Sequence, residues 1–349
     1  MKTRVKMVEA LTEDDKIVNV EVEVQEDACI QLNRVYLRDC LEGMHFIPDQ
    51  SIDCIICDLP FGTTNNPWDQ IIPYDKLWEQ YNRIVKPEGH IILFSSEPFS
   101  TALKASNLEN LQYDYVWNKK APANFKQSHT KPLKDFEMIS VFRPAKSKVL
   151  VRETFYFPQG LVRCDRTMKN KKGKYMGNKN ARVGKTYVQK YTNYPKAILE
   201  FSKDADSWHP TQKPVALIEF LIKTYSLPGG IVLDNCMGSF TTAIAAHNTN
   251  RYFIGFETNL TYYTRGYERF TKHVMNNISK PLTMEFFEEY HERNEEYFIT
   301  RNNLHAANPE EDVEIDVEYQ DVEDVDVDED VITTELDLGD IDYEAVITA

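Results

Sequence analysis

The amino-acid sequence predicts an α/β fold with a doubly wound, mostly parallel sheet. Several short apolar runs, such as Ile52–Cys57, lack the alternation of a half-exposed strand, as expected for strands covered on both faces. Segments with helical periodicity lie between these runs, and strands that alternate with helices usually form parallel sheets. The predicted strands are Val35–Leu37, Ile52–Cys57, His90–Ser95, Tyr113–Trp117, Met138–Phe142, Ile231–Asp234 and Tyr252–Phe256.

Three helices are predicted between these strands, at Asp75–Ile84, Val215–Tyr225 and Thr241–Ala246. The second follows Pro214, a residue that suits the first turn of a helix. Residues 1–28 alternate charged residues with Val or Ile without a clear period, which indicates a poorly ordered arm with one strand at Ile17–Val24. Near the other end, Met284–Phe298 has the pattern of an acidic, aromatic helix.

The net charge of the 349-residue chain is −15, but its acidic residues are concentrated at one end. Residues 309–349 contain 18 Asp or Glu and no Lys or Arg, so the rest of the chain has 40 basic and 37 acidic residues. The negative net charge therefore comes from the C-terminal segment, and it does not exclude nucleic-acid binding by residues 1–308. Hydrophobic residues make up 42% of the chain, enough for a globular core.

Other classes of protein are excluded by composition. No apolar run approaches the roughly 18 residues of a membrane span, and charges near the N-terminus argue against a signal peptide. Six cysteines are too few for a disulfide scaffold, so we expect reduced thiols in a cytoplasm, bacterial or phage-infected. Cys54 and Cys57 are spaced C-x-x-C but lie on one predicted strand and point to opposite faces, so no metal site is expected.

A basic segment interrupts the α/β pattern. Residues 143–203 contain 16 Lys or Arg and 3 acidic residues, with little apolar periodicity. A loop of 60 residues is unusual inside a compact domain, which favours nucleic-acid contact over a solvated loop. We therefore divide the chain into an N-terminal arm (1–28), a first α/β half (29–142), a basic region (143–208), a second α/β half (209–305) and an acidic tail (306–349).

The first motif with chemical content is Asp58-Leu59-Pro60-Phe61, directly after the strand Ile52–Cys57. Ligands of open α/β sheets bind at the carboxyl ends of strands. A carboxylate there accepts a hydrogen bond from an amino group, and an aromatic ring stacks on a flat base. An ordinary turn is the alternative, because Asp, Pro and Gly are common turn residues.

The second motif is Ile231–Thr242, in which an apolar strand ends in Asp234 and a turn of small residues precedes a helix. Such a turn lets a ligand approach the backbone at a helix N-terminus. Glu257 ends the next strand 23 residues later, and an acid roughly 20 residues on binds ribose in nucleotide sites. Neither G-x-G-x-x-G nor G-K-[ST] is present, so the pattern fits a nucleoside cofactor or a plain βαβ crossover.

The third motif is His209-Pro210-Thr211-Gln212-Lys213-Pro214, which by itself reads as a helix start. Together the three motifs resemble those of the amino-group DNA methyltransferases, which transfer a methyl group from S-adenosylmethionine to adenine N6 or cytosine N4. Residues 58–61 match the family's [D/N/S]-P-P-[Y/F] tetrapeptide except at Leu59, and residues 209–214 match its H-P-T-Q-K-P box without change. Residues 38–41 and 47–53 are similar to its G-D-C-L … L-P-D-x-S-V-D opening, with Arg38 replacing Gly.

The order of the motifs resembles the circularly permuted beta group of this family, in which the segment between the two halves recognises the target sequence. The basic segment 143–203 occupies that place, so the resemblance implies binding of double-stranded DNA, weakened by salt. The fold implied is a Rossmann-like methyltransferase sheet with an inserted target-recognition region. The predicted DNA contacts are Arg163, Arg166, Lys169, Lys171, Lys172, Lys174, Lys179, Arg182 and Lys185.

The resemblance also implies a mechanism. The target base flips into a pocket, where the carboxylate of Asp58 and the main-chain carbonyl of Leu59 accept hydrogen bonds from the adenine amino group. Phe61 stacks on the base, and Pro60 completes the tetrapeptide. Asp39 and Cys40 are expected beside the cofactor adenine and Glu257 beside its ribose. The other predicted cofactor contacts are Asp58, His209, Thr211, Lys213, Asp234, Gly238, Ser239, Thr241 and Thr242.

Several alternatives stay open on the sequence. Asp58 favours adenine, and cytosine N4 is the other target. Phe240 stands where the family usually has Gly, and a side chain there would weaken cofactor binding, leaving a non-catalytic DNA-binding protein, unless it points away. The acidic tail is either a solubilising segment or a competitor for the basic region. We expect no membrane partner, and both a homodimer and a link to phage or restriction–modification systems remain open.

Overall fold

The computed structural model describes residues 2–277 except 12–16, 27–29, 65, 146, 148, 170–185 and 206. The chain divides into two compact units, Met1–Lys280 and Pro281–Ala349, and all described residues belong to the first. The predicted helix at 284–298 and the acidic tail lie outside the described residues.

The described strands are β1 (Lys2–Leu11), β2 (Ile17–Glu26), β3 (Arg34–Leu37), β4 (Ile52–Asp58), β5 (Val85–Ser95), β6 (Leu111–Ala123), β7 (Lys134–Phe142), β8 (Val162–Lys169), β9 (Thr186–Thr192), β10 (Ile198–Glu200), β11 (Ile231–Asp234) and β12 (Tyr252–Glu257). The described α-helices are α1 (Cys40–Met44), α2 (Tyr74–Ile84), α3 (Phe99–Ala105), α4 (Val215–Tyr225), α5 (Thr241–Asn248) and α6 (Leu260–Asn277). All seven strands and three helices predicted between residues 30 and 257 are present at these positions.

Eight strands form the main sheet, in the order β10-β6-β7-β5-β4-β11-β12-β3. Every neighbouring pair is parallel except the two pairs made by β7, which runs antiparallel to both β5 and β6. The prediction of a mostly parallel, doubly wound sheet is therefore confirmed.

Apolar side chains cover both faces of the sheet. Strand β4 shows the two sides, since Cys54 and Ile56 pack in one core cluster and Ile55 and Cys57 in the other. Helices α4 and α5 contribute to the first cluster, and α1, α2 and α3 to the second. The C-x-x-C pair thus points to opposite faces as predicted, and within the described residues no cluster of His, Cys, Asp or Glu is arranged to hold a metal ion.

Some elements differ from the sequence prediction. The strand expected at Ile17–Val24 spans Ile17–Glu26 and pairs antiparallel with Lys2–Leu11, a second strand that was not predicted and that corrects the picture of a poorly ordered arm. Inside the basic region, β8 and β9 form a two-stranded sheet of their own, while β10 joins the edge of the main sheet. In the part of the chain that is described, no helix is both long and apolar enough to cross a membrane.

Candidate active site

A cavity of about 380 Å³ opens at the carboxyl ends of β4 and β11. These neighbouring strands are where the strand order reverses, the place at which open α/β sheets bind ligands. All the predicted catalytic and cofactor residues line this cavity, so the fold brings together segments that are more than two hundred residues apart. They are Asp39, Cys40, Asp58, Leu59, Pro60, Phe61, His209, Thr211, Lys213, Asp234, Gly238, Ser239, Thr241, Thr242 and Glu257.

The loop that follows β4 is organised by Asp69, a residue that sequence reasoning missed. Its carboxylate accepts hydrogen bonds from the backbone N–H groups of Gly62, Thr63 and Thr64 at 2.8, 2.9 and 2.7 Å. Although burial raises the pKa of Asp69, a hydrogen bond with the Thr64 side chain and these three backbone hydrogen bonds hold this pKa below its usual value. Phe61, the aromatic residue of the tetrapeptide, stacks on Phe99 with 4.9 Å between the ring centroids.

A chain of alternating charges reaches Asp58 from the side of β6. Lys119 on β6 donates to Glu137 Oε1 on β7 at 2.5 Å, and Glu137 Oε2 lies 3.3 Å from Lys213 Nζ. Lys213 in turn donates to Asp58 Oδ2 at the end of β4. The four side chains come from four segments of the chain, and all are largely shielded from solvent. The sequence singled out only Lys213 and Asp58 of this network.

The second carboxylate oxygen of Asp58, Oδ1, is buried and has no hydrogen-bond partner among the described residues. Burial raises the pKa of Asp58 to about 6, with Lys213 lowering it and Glu137 and Asp234 raising it. The two carboxylates raise the pKa of Lys213 despite its burial, so the lysine stays charged. Asp58 is thus tethered through one oxygen and presents the other as an unused acceptor.

The turn after β11 is held by two carboxylates. Asp234 Oδ2 accepts a hydrogen bond from Thr242 Oγ1 at 2.6 Å, which ties the strand end to the first turn of α5. Glu257 Oε2 accepts from the Gly238 N–H at 2.7 Å, and Oε1 accepts from the Asn259 N–H at 2.8 Å. A carboxylate offers about four lone-pair sites, so Glu257 keeps acceptor capacity for a ligand. Burial raises the pKa of both acids.

Another part of the cavity wall follows the end of β3. Asp39 caps α1, its Oδ1 accepting from the Leu41 and Glu42 N–H groups at 2.9 and 3.2 Å. Buried Asn235 donates toward the sulfur of Cys40 at 3.6 Å and accepts from the Tyr81 hydroxyl at 2.5 Å. The amide of Asn235 therefore links Tyr81 of α2 to the first residue of α1.

Phe240, which the sequence flagged as an obstacle to the cofactor, turns away from the cavity. Its side chain is 0% exposed and packs on Tyr263 with 6.0 Å between the ring centroids. A Cβ at Gly266 of α6 would lie 2.3 Å from the Phe240 ring, so that glycine makes room for it. The backbone of Phe240 has φ 61°, the left-handed conformation that favours glycine. The ring therefore does not occupy the cofactor turn.

An aromatic wall that the sequence did not predict closes one side of the cavity. Tyr262 meets the His209 ring edge-on with 4.3 Å between centroids, and Trp68 lies about 6 Å from both rings. Burial and the nearby cation of Lys213 lower the pKa of His209 to about 4, so the imidazole is neutral. Trp68 and Tyr262 carry no motif of their own, which is why no sequence signal identified them.

The predicted DNA contacts are only partly described. Arg163, Arg166 and Lys169 lie on β8 with exposed side chains, and Arg163 pairs with Asp165 at 2.8 Å. The other six lie outside the described residues: Lys171, Lys172, Lys174, Lys179, Arg182 and Lys185. Their role in DNA binding stays a prediction.

Comparison with known proteins identifies the family of this chain. The model of the DNA methylase family (N6_N4_Mtase) matches residues 52–268, more than half of the chain. The chain therefore belongs to the N6/N4 DNA methylase family, whose members use S-adenosylmethionine as methyl donor.

Individual relatives lie within the same family. The chain is 27% identical to the DNA adenine methyltransferase YhdJ of Escherichia coli (strain K12) over 248 residues, 66% of this chain and 80% of that protein. A solved structure of the M1.HpyAVI–SAM complex is 25% identical with a TM-score of 0.45, covering 68% of this chain and 98% of that one. The cytosine-N4-specific PvuII DNA methyltransferase is 15% identical with a TM-score of 0.47, covering 76% and 93%.

The residues of the cavity fit the family's cofactor. The volume of about 380 Å³ lies in the range of small-molecule sites. The turn 234–242 leads into the N-terminus of α5 and is kept clear of the Phe240 ring. Glu257 retains acceptor capacity for a ribose diol, and Asp39 lines the same cavity directly after Arg38, whose N–H donates to the Glu257 carbonyl at 2.9 Å.

Proposed function

We propose that this protein is an S-adenosylmethionine-dependent DNA methyltransferase that methylates adenine N6 in a base flipped out of the duplex. The observation that carries the proposal is the buried, unpartnered Oδ1 of Asp58 beside a cavity of nucleoside size. A buried acceptor without a partner is costly, and an amino group that donates to it removes that cost. An adenine amino group supplies such a donor.

Different residues of the cavity are proposed to bind the target base and the cofactor. Asp58 and the main-chain carbonyl of Leu59 orient the amino group, so that its lone pair faces the methyl donor. Phe61 lines the cavity and stacks on Phe99 through one face of its ring, and its other face is proposed to stack on the base. The cofactor supplies the methyl group on a sulfonium, and Glu257 and Asp39 hold its nucleoside part.

Lys213 has a role in this arrangement besides lining the cavity. By donating to Oδ2, it holds the Asp58 carboxylate in one orientation and leaves Oδ1 directed to the substrate. The lysine also keeps the carboxylate ionised near neutral pH, because a neighbouring cation lowers the pKa of an acid. The basic region 143–208, including the exposed side chains of β8, is proposed to bind the DNA around the target site.

The test is transfer of labelled methyl groups to unmethylated genomic DNA, followed by digestion and mass spectrometry of the nucleosides. We expect label in N6-methyladenine with the wild type and at least a 100-fold lower rate with Asp58→Ala, roughly the range of lost transition-state contacts to a catalytic group. Glu79→Gln, an exposed acid on α2 that does not line the cavity, is the matched control and should methylate normally.

Other outcomes would contradict parts of the proposal. Label in N4-methylcytosine would keep the reaction class and overturn the choice of base. A rate that Asp58→Ala does not change would overturn the role of Asp58. No label on any base, together with intact DNA binding, would favour a non-catalytic DNA-binding protein.

A further inference from the structure

The hairpin between β6 and β7 extends beyond the sheet at the same edge as the cavity. We call residues 120–133 the hairpin arm. Because β7 is antiparallel to its neighbours, its first residue lies at the carboxyl edge of the parallel strands. Every residue from 120 to 132 is exposed, so the arm projects into solvent.

The base of the arm is connected to the candidate catalytic residue, Asp58, through the side chains of Glu137 and Lys213. Trp117 pairs with Glu137 across the hairpin, and Glu137 contacts Lys213, which contacts Asp58. From that pair to the pair of Ala123 with Lys134, β7 spans three residues, or about 10 Å at roughly 3.4 Å per residue, because β6 bulges between Asn118 and Ala123. The tip of the arm is therefore within reach of the DNA that surrounds a base bound at Asp58.

The arm has a strongly one-sided charge. Residues 119–134 contain five Lys and one His, and no Asp or Glu. Lys120 pairs with Glu200 at 3.3 Å, but Lys126 and Lys131 have no ion-pair partner within the described residues. Lys126 and Lys131 are therefore available to contact the phosphate groups of DNA beside the cavity.

The tip presents an aromatic side chain to solvent. Phe125 is 77% exposed, the highest value among the large hydrophobic side chains of the described residues. It begins a 3-10 turn, Phe125–Gln127, that follows Asn124 in the left-handed conformation with φ 63°. Hydrogen bonds from the Gln127 N–H to Asn124 O (2.8 Å) and from the Thr130 N–H to Gln127 O (3.0 Å) fix the turn. The exposed ring is thus displayed by an ordered backbone.

From this placement we infer that the hairpin arm binds double-stranded DNA next to the target base. This inference rests on the proposed function. Lys126 and Lys131 contact backbone phosphates, and Phe125 fills the space that the flipped base leaves in the stack. An apolar side chain inserted between base steps offsets the cost of unstacking. The arm is outside the basic region 143–208, so it is a second DNA-binding element.

Binding of a 30-base-pair duplex by the full chain, measured by fluorescence anisotropy at several salt concentrations, tests the phosphate contacts. Each lost contact reduces the slope of log K against log salt by about 0.9, so Lys126→Gln/Lys131→Gln should reduce it by roughly 1.8. Lys104→Gln/Lys223→Gln is the matched control, since these two lysines lie at the opposite edge of the sheet. Equal slopes for the two double variants would overturn the phosphate contacts.

Methylation of two duplexes tests the role of Phe125, once the methylated sequence has been mapped on genomic DNA. One duplex is fully paired, and in the other the target adenine faces an abasic site, which makes flipping easier. Phe125→Ala should lower kcat roughly 10-fold on the paired duplex, near the low end of the contribution of stacking on an aromatic ring, and by less than about two-fold on the other. Leu108→Ala, exposed at the opposite edge, should change neither rate.

The outcomes separate this proposal from the proposed function. If Phe125→Ala lowers kcat equally on both duplexes, or on neither, the insertion of Phe125 is overturned. The phosphate contacts are tested separately by the salt dependence of binding. If the wild type methylates no DNA, the role of Phe125 in base flipping falls together with the proposed function. The salt slope then still decides whether the arm binds DNA.

Discussion

Replacing Phe240 separates a structural role of this residue from an effect on the cofactor. The side chain is 0% exposed and fills the space left by Gly266, away from the cavity. Removing a buried Phe side chain costs about 3–5 kcal/mol in the free energy of unfolding. The left-handed backbone at φ 61° adds a conformational cost of roughly 1–2 kcal/mol for any residue with a Cβ, which glycine avoids.

These two magnitudes give an unusual order of stability. Phe240→Ala loses the burial and keeps the backbone cost, so we expect it to destabilise the protein by about 3–5 kcal/mol. Phe240→Gly loses the same buried side chain but removes the conformational cost of the left-handed backbone. Its loss in the free energy of unfolding should therefore be about 1 kcal/mol smaller than that of Phe240→Ala, even though glycine makes the unfolded chain more flexible. Urea unfolding curves of the three proteins measure the difference.

Calorimetric titration with S-adenosylmethionine completes this test. Because the ring does not line the cavity, Phe240→Gly should not bind the cofactor more tightly than the wild type does. A 10-fold gain in affinity, or a glycine variant as stable as the wild type, would refute the packing argument. The gain would instead support a protein that lost cofactor affinity through this residue.

Two further predictions concern the charged groups of the cavity. Because an ionised Asp58 accepts a hydrogen bond from an amino group more strongly than the protonated acid does, and burial raises its pKa to about 6, kcat/KM should rise with pH through about 6 and level off above it. Glu137→Gln removes a negative neighbour and should move this rise to lower pH, whereas Lys213→Met removes the cation and should move it to higher pH. Glu257→Gln should weaken the affinity for S-adenosylmethionine roughly 10-fold or more, as expected for hydrogen bonds to a charged group, with DNA affinity unchanged in anisotropy.

For each of these variants, one result would contradict the prediction. Shifts of the same sign in Glu137→Gln and Lys213→Met would mean that the pH profile does not report Asp58, because the two neighbours act on its pKa in opposite directions. Glu79→Gln, which lies outside the cavity lining, should leave the profile in place. Normal cofactor affinity in Glu257→Gln would exclude this carboxylate as a ligand of the ribose.

Much of the fold was predictable because its strands and helices carry local signals. The run Ile52–Cys57 is apolar throughout and becomes the central strand β4, buried on both faces. Helix α4 has the predicted bounds Val215–Tyr225, since Pro214 precedes it and apolar residues recur at helical spacing. Helix α6 was missed although Asn259, whose side chain accepts the Tyr262 N–H at 3.0 Å, is a usable start signal.

The short helices gave weaker signals. Helix α1 has only five residues, and its evidence is the capping side chain of Asp39. In that position the aspartate was interpreted as a cofactor ligand, and the structure gives it a capping role as well. A residue type that suits a turn, a cap and a ligand cannot be assigned to one of them from sequence alone.

The sequence alone determined the seven predicted strands and three predicted helices of the α/β body and the motif residues that line the cavity, because these follow from local periodicity and from recognisable short segments. Only the tertiary structure decided which charges meet and which way a side chain turns. Lys119 and Glu137 join Lys213 and Asp58 because four distant segments end at one edge of the sheet. Phe240 faces the core because a left-handed backbone and the space at Gly266 direct it there, and no local pattern encodes either.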